Sequence, residues 1–140
     1  MNAWFDFPRY DGTADALMND VDAEGVAQSK EYFQQLIQDE IDAGIPAERI
    51  VIGGFSQGGA LSILSGLSCE YKLAGIICLS AWLLHAEDFQ DQLPEDHVNK
   101  DTPIFMGHGV DDRLVPPATG KMSYDALKGH GFDVSWEVYP

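Results

Sequence analysis

Short, nearly continuous apolar runs alternate along this chain with longer stretches in which apolar positions recur every three or four residues. Over residues 22–43, Val26, Phe33, Leu36, Ile37 and Ile41, with Glu40 among them, fall on one stripe at helical spacing, and Gly44 and Pro46 stop the pattern. Residues 49–53 read as a buried strand, 57–67 as a helix of small residues, and 73–80 as a second buried strand. Residues 102–106 predict a third strand, 116–128 a helix closed by Gly129 and Gly131, and 133–139 a fourth strand. Residues 1–21 are aromatic and turn-rich and give no assignment, while residues 85–101 read as a polar, acidic surface excursion.

Continuous apolar strands alternating with helices predict an α/β domain with a doubly wound, mostly parallel sheet covered on both faces. At 140 residues the chain suits one domain. Ligands of such sheets bind beyond the carboxyl ends of the strands. Chemistry is therefore expected just after Gly53, Ser80, Met106 and Tyr139.

Eight Lys and Arg against 23 Asp and Glu give a net charge of −15, which argues against a nucleic-acid binder and against loose docking on anionic lipid. The longest nearly apolar run, residues 73–84, is too short to span a bilayer, and no secretory signal opens the chain, so the expectation is a cytoplasmic protein. Cys69 and Cys78 make no disulfide framework and are expected to be buried packing residues.

Gly54-Phe55-Ser56-Gln57-Gly58 fits G-x-S-x-G, placed where a strand ends and a helix begins, as a nucleophile elbow requires. The turn is strained, so the positions two before and two after the serine should lack bulk. The helix N-terminus places the Gln57 N–H beside a developing oxyanion. A serine nucleophile needs a base, and the base needs a carboxylate. Asp111 and Asp112 follow the third strand, in the order expected of this arrangement. Of the four histidines, His85, His97 and His108 precede Asp112. His130 follows it but falls at the amino end of the last strand, the far edge of the sheet from Ser56, and reads as a helix C-terminal residue. The base is expected shortly after Tyr139.

These residues resemble the phospholipase/carboxylesterase family of α/β-hydrolases, of the acyl-protein thioesterase or lysophospholipase kind. The resemblance is carried by Trp4-Phe5-Asp6, Gly44-Ile45-Pro46 with Arg49-Ile50, Gly53 to Ala60, Leu79-Ser80-Ala81-Trp82-Leu83, His108-Gly109-Val110-Asp111-Asp112, and Tyr139-Pro140. It implies an α/β-hydrolase fold, with residues 1–140 forming a single partial domain whose early strands and histidine segment lie outside the chain. It also implies Ser56 as nucleophile, Asp112 as triad acid with Asp111 the weaker candidate, Gln57 as an oxyanion donor, and Trp82 and Leu83 near an acyl-binding groove. The activity implied is hydrolysis of acylated proteins, lysophospholipids or small esters without a cofactor. Arg113 and Leu84 stand where the family commonly has proline, which affects groove shape more than chemistry. The competing reading is a non-catalytic fragment that binds acyl chains or proteins. Without earlier strands, the strand before Ser56 would keep a bare edge and invite self-association.

Two further patterns carry less. Asp20, Asp22 and Glu24 with Gly25 and Glu31 nearly fit a calcium loop, but the carboxylates suit a helix N-terminus better. The acidic residues and histidines of 85–97 lack metal-ligand spacing. Trp4 and Phe5 are expected in the core, as is Trp136, which alternates with Val134 and Val138.

Overall fold

The computed structural model describes residues 2–140. Its elements in chain order are α1 (Ala14–Asn19), α2 (Ala23–Asp42), β1 (Val51–Phe55), α3 (Gln57–Leu67), β2 (Gly75–Leu79), a 3₁₀ segment (Ala86–Gln92), β3 (Ile104–Gly109), α4 (Pro117–Gly129) and β4 (Val134–Tyr139). The four strands are parallel in the order β1-β2-β3-β4, with Phe55 opposite Leu79, Leu79 opposite Gly107, and Gly109 opposite Tyr139. β1–β2 and β3–β4 are joined through α3 and α4, and β2–β3 through the 3₁₀ segment; with all four strands parallel, their carboxyl ends lie along one edge.

Four expectations change. Residues 11–19, unassigned from sequence, contain α1, whose N-terminus is capped by the Thr13 hydroxyl accepting from the Ala16 N–H at 3.1 Å. Its buried Ala16, Leu17 and Met18 are consecutive, so a helix of under two turns shows no periodicity to read. Strands β1 and β3 each begin two residues later than predicted: Ala47–Arg49 first close a 3₁₀ turn after Pro46, and β3 continues through Gly107–Gly109 because β4 pairs with it that far. Residues 85–101 are not merely a surface excursion. Phe89 and Leu93 are buried in the main core, and Asn99 is wholly enclosed. Its Oδ1 accepts from the Leu73 N–H (2.8 Å) and the Thr102 hydroxyl (2.7 Å), and its Nδ2 donates to the Gly66 (3.1 Å) and Tyr71 (2.8 Å) carbonyls. One amide with all its bonds made thus fixes the turn from α3 into β2.

The fourth change concerns the sheet faces. Ile52, Ile76, Cys78, Ile104, Met106 and Val134 share the face packed beneath α3 and α4. The opposite face carries Val51, Phe55, Ile77 and Leu79, all exposed, and no helix of the described residues covers it. A parallel sheet buried on one side only leaves its apolar run facing water on the other. On the covered face Trp136 is partly buried against the core, whereas Val138 is exposed.

Helix α2 is capped as expected: Asp22 Oδ1 accepts from the Gly25 N–H at 3.0 Å, and its Oδ2 accepts from the Asp6 N–H at 2.9 Å. Those two bonds hold the Asp22 carboxyl below the usual carboxylate range. Asp20 pairs with Arg9. Both cysteines are buried, and burial pushes the Cys78 thiol far up.

Candidate active site

Gly53-Gly54-Phe55 ends β1 and Gln57 begins α3, leaving Ser56 alone to turn the chain. Ser56 has φ 56° and ψ −120°, a conformation that L-residues avoid unless the surroundings impose it. The surroundings here are close. Its N–H donates to the Leu79 carbonyl at 2.9 Å, and its carbonyl accepts from the Ala60 N–H at 3.0 Å, so β2 and the first turn of α3 grip it from both sides. A serine at a helix N-cap ordinarily turns its hydroxyl onto the first-turn N–H groups, but that of Ser56 makes no such bond. The hydroxyl is left free, and the donors of the first turn are left open to a ligand anion.

Ser56 lines an apolar cleft of about 660 Å³ with Gln57, Gly58, Trp82, Leu114 and Val115, roofed by residues 2–7, Tyr10 and Leu17. The roof is held by the Gln57 side chain. Its Oε1 accepts from the Trp4 N–H at 3.1 Å, and its Nε2 donates to the Phe5 carbonyl at 2.9 Å. Tyr10 adds a bond from its hydroxyl to the Leu114 carbonyl at 2.9 Å. The expectation that Trp4 belongs to the core is corrected: it is 41% exposed and lines the cleft, while Phe5 is buried. The sequence points to the Gln57 N–H but carries no sign of the clamping role of its side chain, because only the folded chain brings Trp4 to it.

Asp112 lies just behind the cleft wall. Its Oδ1 accepts from the N–H groups of Leu114 (3.0 Å) and Val115 (2.9 Å), two residues that line the cleft. Partial burial pulls its pKa up, but bonds from the Val115 N–H, the Ser80 hydroxyl and the Leu114 N–H, with His108 nearby, hold the carboxyl below its ordinary value. Ser80, which follows β2, shares with Ser56 a positive φ, at 50°. Asp111 is exposed and takes part in no hydrogen bond that would fix it, so the geometry favours Asp112 of the two candidates.

The structure separates Trp82 from Leu83. Trp82 is buried beneath the cleft and lines it. Leu83, expected beside it at the groove, is fully enclosed and does not line the cleft; its N–H donates to the Ser123 hydroxyl at 2.9 Å, which turns its side chain into the core. No histidine of the described residues lines the cleft. His130 caps α4 at the amino end of β4, as read from the sequence. His108 is buried behind Asp112, with Nε2 2.7 Å from the Val115 carbonyl.

The arrangement can deliver an unblocked serine hydroxyl and helix N–H donors to an apolar ligand, with an oriented carboxylate nearby. Comparisons with known proteins point the same way. The sequence profile described as phospholipase/carboxylesterase matches residues 1–140. Acyl-protein thioesterase 1 of Gibberella zeae is 50% identical over 140 residues, spanning 100% of this chain and 60% of that protein. The protein of the same name from Neurospora crassa is also 50% identical, over 100% of this chain and 57% of its own length. The chain thus spans less than two thirds of these relatives. Among solved structures, SOBER1 of Arabidopsis thaliana superposes with a TM-score of 0.87 at 33% identity, covering 100% of this chain and 64% of that one. Acyl-protein thioesterase 2 of Zea mays gives 0.77 at 27%, covering 98% and 62%. The fold is that of the α/β-hydrolases, in part.

Proposed function

The chain belongs to the phospholipase/carboxylesterase family, and from that premise we propose that residues 1–140 are part of one hydrolase domain and carry the nucleophile, triad acid and one oxyanion donor of a serine hydrolase acting on acyl thioesters or esters. The observation that carries this reading is the unblocked Ser56 hydroxyl at the strained elbow, opening into the apolar cleft.

In this reading Ser56 Oγ attacks the acyl carbonyl carbon while a histidine outside these residues takes its proton. Asp112 holds that imidazole in the right tautomer and stabilises its charged form. The oxyanion is received by the Gln57 N–H and a second donor outside these residues; one such donor is typically worth about 10²–10³ in rate. The histidine returns the proton to the departing thiolate or alkoxide, and water then attacks the acyl-enzyme and releases the carboxylic acid.

The cleft suits an acyl chain, since Phe5, Phe7, Leu17 and Trp82 present apolar surface and Asp6 is the one charged residue of its lining. The substrates that fit are acylated proteins, in keeping with the names of the relatives, and lysophospholipids or small esters. No helix of the described residues is long and apolar enough to cross a membrane, and a cytoplasmic place is part of the proposal.

A fluorophosphonate probe tests it on the full-length protein. Labelling that disappears in Ser56→Ala supports the reading; labelling that persists overturns it. A second reading, a module that binds acyl chains without turnover, is favoured by one observation, that no described histidine reaches the cleft. Hydrolysis of a p-nitrophenyl ester by residues 1–140 alone, at a rate near that of intact serine esterases, would exclude it.

A further inference from the structure

The histidine behind the site is unused in the mechanism above, yet its surroundings are specific. His108 stands on β3, is 2% exposed, and packs its ring 5.6 Å from that of Trp136. Its Nε2 lies 2.7 Å from the Val115 carbonyl oxygen and 3.6 Å from Asp112 Oδ2. A carbonyl only accepts, so Nε2 carries the proton. The other nitrogen, Nδ1, is buried with no partner. It abuts Gly120 on α4, where a Cβ would fall 2.5 Å from it, so no other residue type leaves room for the ring.

Val115 is therefore held at both ends. Its N–H donates to Asp112 Oδ1, and its carbonyl accepts from His108. The loop that carries Asp112 leaves β3 at Gly109 and enters α4 at Pro117, and this double tie joins its far side back to the sheet.

We propose that His108 is a positioning residue: its Nε2–H, given to the Val115 carbonyl, closes the 109–116 loop and fixes the Asp112 carboxylate in the orientation its role requires. The kinetic part of this proposal rests on the serine hydrolase reading; the bond itself does not. Loss of the bond leaves a buried carbonyl unpaired and lets the loop, and Asp112 with it, move relative to β3. Failure of a triad acid typically costs about 10⁴ in kcat, so a displaced one should cost a measurable part of that.

Two measurements on the full-length protein decide it. The first is the nitrogen–proton correlation spectrum of the His108 imidazole. It should show a proton on Nε2; a proton on Nδ1 with Nε2 bare would overturn the assignment. The second is the rate at which Ser56 is labelled by the fluorophosphonate in His108→Gln and His108→Asn. The Gln amide can reach the Val115 carbonyl and the shorter Asn amide cannot. The Gln variant should label within about threefold of the unchanged protein and the Asn variant at least ~10-fold more slowly, a contrast that loss of packing alone does not produce because both amides remove the ring. Equal rates in the two variants would overturn the proposal. If the unchanged protein is not labelled at all, the hydrolase reading fails by itself, and the imidazole spectrum still decides the His108 bond.

Discussion

Gly54 and Gly58 touch across the elbow: a Cβ on Gly54 would stand 2.3 Å from the Gly58 carbonyl carbon and 2.5 Å from its oxygen. The reverse does not hold. A Cβ on Gly58 would meet only the Trp4 Nε1, at 3.8 Å. The two glycines that flank Ser56 are thus unequal, although the motif treats them alike. The strand-side glycine lets α3 close onto β1, and the helix-side glycine is optional for packing.

Gly54→Ala should therefore cost about 1–3 kcal/mol or more, the range for forcing a methyl into backbone, and should abolish Ser56 labelling because the elbow must open. Gly58→Ala should leave the melting temperature unchanged or slightly raised, since alanine favours a helix over glycine by up to about 1 kcal/mol. Thermal melts of the two variants check this. Equal losses would show that the elbow is not set by the contact at Gly54.

Asp112 supplies a pH signature. Its folded-state pKa is depressed, the bonds from Val115, Ser80 and Leu114 outweighing the opposing effect of burial. A carboxylate with a depressed folded value adds stability that is fully present above its unfolded value, about 3.9, and is lost as pH falls through the folded value. Asp112→Asn should melt below the unchanged protein at pH 6–8 by a constant margin, and the margin should shrink as pH falls below the unfolded value of about 3.9 and on through the depressed folded value. A margin that persists undiminished at low pH would show that the ionised carboxylate is not what the loop N–H groups hold.

The candidate site was legible in the sequence because its signal is local. Gly53 to Ala60 encode the strand end, the turn and the close-packed helix start within eight positions, and the H-G-x-x-D run places Asp112 one loop beyond β3. What was not legible depends on distant partners. Asn99 reads as one more polar residue in an acidic stretch, and only the approach of Leu73, Gly66 and Tyr71 makes it a buried joint. Trp82 and Leu83 are adjacent and both bulky and largely apolar, so nothing local says which faces the cleft; the Ser123 hydroxyl, forty residues on, decides it. Strand patterning shows that residues 50–53 and 73–79 are without polar side chains, but not that only one of their faces finds helices.

That uncovered face leads to the last prediction. Phe55 is 69% exposed and Val51 53%, with Ile77 and Leu79 beside them, and β1 is an edge strand with an apolar groove between it and α2. Apolar patches and free edges of this kind promote association. The net charge of −15 opposes it by mutual repulsion, which salt screens over about 10 Å at 0.1 M. Residues 1–140 on their own should therefore self-associate, and more so as sodium chloride rises from about 0.02 to 0.5 M, because screening removes the repulsion and leaves the apolar attraction. Ile77→Lys, which puts a charge in the middle of the face without touching the packed side, should shift sedimentation towards monomer. Val51→Lys should do the same through the edge. A longer protein whose added segments cover this face should sediment without the salt dependence. A monomer at every salt concentration for residues 1–140 would mean that the face is too small to drive association against this charge.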